Sequence, residues 1–521
     1  MARAPRPSLQ RPLCRSRVYG PWPRLVVAAR SRAVALAIGA LWTVGGCDRS
    51  LSGGGASGAR VVDDRPNVLI MSVDTLRPDH LHCYGYERET SPNIDRLAGE
   101  GALFENVISS TSWTLPAHAA LFTGLADSVH GAIDTTFKLS DTRVTLAERL
   151  RDAGYQTAGF FSGPYLHPVF GLGQGFETYA DCTSYGNLND ATARSKGTVE
   201  GRAIWDQMHK DVTSDRVYER IGEWLQTARP PFFLFVHWWD AHFDYIPPPP
   251  YDTLFDPTYA GAMTGENFFF NEAVHKDMER RDLEHLIALY DGEIAWVDMH
   301  IGKLLDDLAA RQWLDHTLVV VLADHGSAFF EHGLKAHRNA LYDEVIRIPL
   351  IMRLPGRVAA GARYTRQARI IDVAPTVLDV AGVAADPATL MGQPLTPLFS
   401  GAAPLRDEPA VSELLSMSQQ LRSVRRLDRK LIIDERSKGA LVYDLRRDPG
   451  ERAPLQTQLA PPAPDAIKDL AWAREWLAAF RTSLAAVAES VAVPDDLLNQ
   501  LRAHGYVGSA TSQPSPPPDR P

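Results

Sequence analysis

The chain has 521 residues, with 63 acidic against 54 basic side chains and a formal net charge of −9. A hydrophobic fraction of 45% beside a charged fraction of 22% excludes a disordered or fibrous chain and fits a globular one with a sizeable core. The first 46 residues hold eight arginines and no acidic residue, so the remainder carries about −17, a surface that argues against nucleic acid as a partner.

Residues 1–46 read as an export signal. A basic region from Arg3 to Arg32 precedes the uncharged, mostly apolar run Ala33 to Val44, and Gly45-Gly46-Cys47 follows. The apolar part is short for a membrane span. Small residues before Cys47 resemble a bacterial lipobox, with Val44 in place of the usual Leu. The expectation is a lipoprotein held to the membrane through lipidated Cys47, facing the periplasm or cell exterior. A plain signal peptide or an uncleaved anchor is the alternative. Residues 47–64, rich in Gly, Ser and Asp, read as a flexible tether.

From Arg65 the pattern is α/β. Strands are predicted at 67–73, 155–161, 232–237, 317–322 and 348–352, and helices at 93–100, 143–153, 214–228, 283–311 and 371–381. The alternation predicts a large, mainly parallel sheet flanked by helices on both faces. Segments 183–213 and 246–282 read as insertions near strand ends. The second opens on Pro247 to Pro250 and contains Phe268-Phe269-Phe270. After about residue 390, strand-like runs at 409–414, 419–425, 429–434 and 440–444 are spaced as an antiparallel meander, with a helix at 466–486. The expected organisation is a catalytic domain over 65–390, a smaller C-terminal subdomain over 391–507, and a disordered tail over 508–521. Cys83 and Cys182 permit one disulfide, or stand as two thiols.

Two apolar runs end in metal-ligand chemistry. Val68-Leu69-Ile70-Met71 leads to Asp74-Thr75-Leu76-Arg77, and Leu318 to Leu322 leads to Asp324-His325-Gly326. In open α/β sheets ligands bind at the carboxyl ends of strands, so two strands delivering carboxylates, one with an imidazole beside it, predict a metal site. Between them, Ser110-Thr111-Ser112-Trp113-Thr114-Leu115-Pro116-Ala117-His118 runs hydroxyls into a small-residue helix. Thr114 is there a candidate nucleophile, against the plainer reading of Ser or Thr as a helix cap. His237-Trp238-Trp239-Asp240-Ala241-His242 follows another buried strand, and His332 and His337 lie beyond Asp324-His325.

These motifs, in this order, resemble the sulfatase-like hydrolases of the alkaline phosphatase superfamily from about residue 65 to 507. Further pieces are Thr90-Ser91-Pro92-Asn93-Ile94-Asp95, Glu331-His332-Gly333, Asp372-Val373-Ala374-Pro375-Thr376 and Asp448-Pro449-Gly450-Glu451. The resemblance implies that Asp74, Asp324, His325 and the oxygen of Thr114 hold one divalent metal ion. It implies that His242 and His337 contact the ester oxygens, one protonating the leaving group. His118 falls where true sulfatases carry an Arg that supports the nucleophile. Thr114 replaces the Cys or Ser that becomes formylglycine, so no formylglycine is expected. Thr75 stands where many sulfatases carry a second metal-binding Asp, and His325 where they often have Asn. The ion is expected to be manganese, calcium or zinc, with imidazole favouring manganese or zinc. The implied activity is hydrolysis of a small anionic ester, phosphate or sulfate, with phosphoesters favoured. The alternatives are a transferase passing a phosphoryl-linked headgroup to a lipid or glycan acceptor, a true sulfuric ester hydrolase, and a catalytically silent binding relative.

Overall fold

The computed structural model describes residues 64–184, 211–401, 405–416, 419–455, 464–482, 486–503 and 507. The export signal, Cys47, the tether, most of the 183–213 insertion and the tail lie outside the described residues. Eight strands form the main sheet: β1 (Asn67–Val73), β2 (Ala102–Ile108), β3 (Gln156–Phe161), β4 (Thr178–Asp181), β5 (Phe232–Trp238), β6 (Thr317–Ala323), β7 (Arg347–Arg353) and β8 (Ala362–Arg369). Their order is β8-β2-β7-β6-β1-β5-β3-β4, and β7 alone runs against its neighbours. Every residue of β1, β5 and β6 is buried. That burial needs cover on both faces, which is why these strands are continuous apolar runs.

The expected sheet is thus present, widened by β2, β4 and β8. Pro349 sits inside β7, where it has no N–H to give the ladder. Pairing with β2 shifts register between Ile348 and Leu350, so the missing donor falls at an irregularity.

The helices form two packed groups. α1 (Pro92–Glu100) and α4 (Ser214–Leu225) pack on the 31-residue α5 (Arg280–Ala310), while α2 (Thr114–Thr123), α3 (Leu146–Asp152) and α6 (Val373–Val380) pack together. α3 begins at a reciprocal cap in which Thr145 Oγ1 accepts from the Glu148 amide and the Glu148 carboxylate accepts from the Thr145 amide.

The C-terminal meander is β9 (Ala410–Leu415), β10 (Gln420–Arg425), β11 (Arg429–Asp434) and β12 (Ala440–Asp444), all antiparallel. Helix α7 (Pro464–Thr482) packs Ala473 and Leu477 onto Val424, Leu431, Ile433 and Val442. This sheet is tied to the start of α2, since the Glu413 amide donates to Ser110 O at 2.7 Å and Ser412 Oγ to Ser109 O at 2.7 Å. Cys83 and Cys182 are free thiols. Among the described residues no helix is long and apolar enough to cross a membrane.

Candidate active site

Parallel pairing brings three strand ends together. Ser72 is opposite His237 and Val73 opposite Ala323, so the residues that follow β1, β5 and β6 emerge side by side. Asp74 leaves β1, Asp324 and His325 leave β6, and β5 carries His237 before releasing Asp240 and His242. Thr114, first residue of α2, comes over the same edge. Trp113 precedes it without a side-chain cap, so the hydroxyl-rich stretch is not used to cap this helix.

Asp324 Oδ1 accepts from the amides of His325 at 2.8 Å and Thr75 at 3.3 Å. Its Oδ2 and Asp74 Oδ1 are buried with no hydrogen-bond partner among the described residues. His325 Nδ1 donates to Gly326 O at 3.0 Å, which leaves Nε2 as the lone-pair nitrogen. That Nε2 lies 3.3 Å from Asp324 Oδ2, 3.7 Å from Asp74 Oδ1 and 3.4 Å from Thr114 Oγ1. Thr114 Oγ1 is 3.5 Å from Asp74 Oδ2. A tetrahedral ion with arms of about 2.0–2.2 Å has edges of about 3.3–3.6 Å. Three of these four spacings fall in that range, and the 3.7 Å between His325 and Asp74 Oδ1 lies just outside it.

Electrostatics point the same way. Burial pushes the Asp74 carboxyl up to about 6. Burial and then the charge of Asp74 raise Asp324. Two carboxylates withdrawn from water side by side are unfavourable unless a cation joins them. The residues present fit a divalent ion, with an imidazole that suits zinc or manganese better than calcium.

The remaining predicted residues divide into two sides. His242 and His337 lie on the outer side, with ring centroids 5.0 Å apart, and the His337 ring is 4.6 Å from that of His325. Burial, then His325 and His242, hold His337 well below the usual imidazole range. Phe243 stacks on Phe269 at 5.7 Å and lies 5.3 Å from His337, so the Phe-rich insertion walls this side. Lys335 pins that wall by donating to the carbonyls of Phe268, Asn271 and Val274.

His118 lies on the inner side. Its Nδ1 donates to Thr114 O at 2.9 Å and its Nε2 is 3.1 Å from Ser72 Oγ, so it meets the backbone of Thr114 rather than its hydroxyl. Burial lowers it to about 3. Thr75 turns away: Oγ1 donates to Ala241 O at 2.7 Å. Asp240, within the predicted motif, serves α4, accepting from the Thr213 and Ser214 amides and from Trp296.

The residue that sequence reasoning left out of the site is His237. It is fully buried, its Nδ1 donates to Ser162 O at 2.7 Å, and its Nε2 is 3.3 Å from Asp74 Oδ2. Burial lowers it to about 4. Its position at the end of a buried strand was the available signal. Its pairing opposite Ser72 was not.

A family model described as Sulfatase matches residues 66–383, well over half of the chain. The chain belongs to the sulfatase family. A second model, the C-terminal region of N-sulphoglucosamine sulphohydrolase, matches residues 330–461. Similar proteins include an N-acetylglucosamine-6-O-sulfatase of Bacteroides thetaiotaomicron, 25% identical over 409 residues, spanning 64% of this chain and 71% of that one. A choline-sulfatase of Rhizobium meliloti is 25% identical and spans 67% of this chain and 74% of its own. The phosphonate monoester hydrolase of Agrobacterium radiobacter shares the fold with a TM-score of 0.66 at 24% identity, over 81% of this chain and 96% of its own. This sulfatase-family chain is therefore an ester hydrolase, within a metal-dependent family.

Proposed function

We propose that this enzyme is a metal-dependent phosphoesterase that uses Thr114 as nucleophile and cleaves sulfate esters poorly. The observation that carries the reading is the single hydroxyl of Thr114 at the start of α2, within 3.5 Å of Asp74 and 3.4 Å of His325. A formylglycine hydrate has two hydroxyls, one to take the sulfo group and one to expel it by elimination. Threonine has one, so its ester must be released by attack of water on the central atom. Phosphorus accepts that in-line attack.

Asp74, Asp324, His325 and Thr114 Oγ would hold the divalent ion, which supplies Lewis acidity to the hydroxyl and the ester oxygens when bound. Thr114 Oγ forms the bond to phosphorus as the bond to the alcohol breaks, and its proton passes to solvent. The free amides at the start of α2 receive developing negative charge. His242 Nδ1 donates to Phe243 O at 2.6 Å, so the ring acts as acid in its doubly protonated form, giving the Nε2 proton to the leaving oxygen and regaining one from the water that later attacks phosphorus. His337 holds the ester beside it. Water then cleaves phospho-Thr114.

A hydrolysis screen of 4-nitrophenyl sulfate, 4-nitrophenyl phosphate and bis(4-nitrophenyl) phosphate with added manganese, zinc or calcium tests this. A phosphate ester should be fastest, and Thr114→Ala should lose about 10³-fold or more while keeping its metal. His242→Ala should slow alkyl esters more than nitrophenyl esters, whose leaving group needs no acid. Faster turnover of the sulfate, or a Thr114→Ala variant at wild-type rate, rejects the reading.

We also propose export as a lipoprotein anchored through Cys47, on the strength of the N-terminal pattern. Mass spectrometry of membrane-extracted protein should find residue 47 first and lipid-modified, and an unmodified or internal Cys47 rejects it.

A further inference from the structure

The outer side of the site, where His242 and His337 stand, is built from aromatic rings. The His242 ring lies 4.2 Å from that of Phe243 and 5.3 Å from that of Trp239. Phe243 lies 5.3 Å from His337 and 5.7 Å from Phe269, and Phe269 meets Phe270 edge to face at 5.2 Å. Exposure rises along this series. Phe243 is 7% exposed, Phe269 is half-buried and Phe270 is 48% exposed. An unbroken run of rings thus leads from the proposed acid to solvent.

The polar groups of the same wall are occupied with its own backbone. Asp244 accepts from the amides of Asn267 and Phe268 at 2.6 and 2.7 Å. Lys335 has three N–H donors and three carbonyl partners, those of Phe268, Asn271 and Val274. Asn271 Oδ1 accepts from the Ala273 amide. What remains to line the wall is ring surface. Among the described residues five large apolar side chains are exposed, and two of them, Phe270 and Leu334, lie on the segments that Lys335 ties together. Apolar surface left exposed beside a site is surface that a ligand covers.

The chemistry next to it fixes which part of the ligand that is. His242 gives its proton to the leaving oxygen, so the carbon skeleton of the alcohol starts at His242 and has the ring series in front of it. A sugar or polyol there would lose water from its hydroxyls and find no partner for them. An alkyl or aryl group would cover the exposed rings at no such cost.

We propose that Phe243, Phe269 and Phe270 form a leaving-group subsite, so that the natural ester is that of an apolar alcohol rather than of a sugar or polyol. The inference rests on the placement of the ester proposed above, with His242 at the leaving oxygen, and not on whether the central atom is phosphorus or sulfur.

Octylphosphonate, benzylphosphonate and dihydroxypropylphosphonate are uncleaved analogues that differ in the group at the leaving position. Titrated calorimetrically into manganese-loaded full-length protein, the two apolar ones should bind about tenfold or more tighter than the polyol. Phe269→Ala should cut that preference about tenfold, and Phe269→Leu should restore part of it, since apolar surface is what the subsite supplies. Phe270→Ala, at a side chain already half exposed, should weaken octylphosphonate more than the shorter benzylphosphonate. Equal affinities in the wild type, no binding of the apolar analogues, or a preference unmoved in both folded alanine variants overturns the subsite. Turnover of octyl phosphate, octyl sulfate and glucose 6-phosphate separates the subsite from the activity. Octyl phosphate cleaved fastest supports both. Octyl sulfate cleaved fastest leaves the subsite standing and rejects the phosphoester reading. Glucose 6-phosphate cleaved fastest rejects the subsite and leaves the phosphoester reading standing.

Discussion

Asp74 is the residue in which the cost of the site is most measurable. Burial raises its carboxyl to about 6 from an ordinary 3.8. A group whose folded pKa is raised contributes stability that is complete below its unfolded pKa and lost as pH rises through the folded one. In metal-free protein, Asp74 should therefore cost about 3 kcal/mol above pH 6. In chelator at pH 8, Asp74→Asn should be more stable than wild type by about that amount, and the gap should narrow as pH falls below about 6 and close only below the ordinary carboxyl value of 3.8. Added manganese or zinc should reverse the order, because the variant loses a charged ligand. Thermal melts with and without chelator read this directly, and a gap unchanged with pH would show that Asp74 is not desolvated. At this scale the sequence was informative where residue type and chemistry coincide. Asp74, Thr114, Asp324 and His325 were each nameable from motifs, and the fold brings them within hydrogen-bonding or ion-pair distance of one another. His237 was not nameable, because its relation to Asp74 comes from strand register, which no local pattern encodes.

Among the elements, the turn after β6 is the tightest constraint on the site. A Cβ on Gly326 would stand 2.2 Å from Glu344 O, in the short helix Asp343–Ile346 that leads into β7. The Gly326 amide also donates to Val345 O at 3.0 Å, so the two backbones are locked together. Gly326→Ala must push that turn aside, and with it His325, whose Nδ1 is held by Gly326 O. The expected cost is about 1–3 kcal/mol of stability with a clear loss of metal affinity. A denaturant melt with metal analysis checks it, and unchanged metal binding would mean the turn is free to shift. The elements hidden from sequence have a common cause. β8 is a half-exposed strand, Ala362–Arg369, whose polar residues give no apolar run, and β4 is four residues long and nowhere fully buried. Both lie at sheet edges, where burial writes little into the chain. β2 holds Glu105 and Asn106 in its middle, which interrupts the apolar pattern, although most of its residues are buried. The central strands were legible because burial on two faces leaves only apolar choices.

At the scale of the whole molecule, a buried charge network joins the C-terminal meander to the active-site loop. Lys430 on β11 is fully buried and reaches Asp343 at 2.8 Å and Glu451 at 2.7 Å. Arg425 on β10 pairs with the same Asp343 at 2.8 Å. Against the cost of burial, Arg425 and Lys430 hold Asp343 below the usual carboxylate range, while burial raises Glu451. Glu451 also accepts from the Asp343 amide at 2.6 Å, and its carbonyl accepts from His332 Nε2 at 3.0 Å. His332 lies between Asp324 and His337, so the meander holds the segment that carries His337 into the site. Two cations here balance two carboxylates. Lys430→Met keeps the volume and removes one cation, which leaves a buried carboxylate uncompensated and should cost about 3–5 kcal/mol. Glu451→Gln in the same chain restores the balance and should recover more than half of that loss, because the penalty lies in the unpaired charge rather than in the lost contact. Activity should fall in Lys430→Met without loss of bound metal, since Asp74, Asp324 and His325 leave β1 and β6 while His337 depends on the loop. Urea melts of the two variants, with metal content and turnover measured on each, decide it. A Lys430→Met protein with wild-type stability would mean that water reaches Glu451 and that the meander is held by its apolar contacts alone.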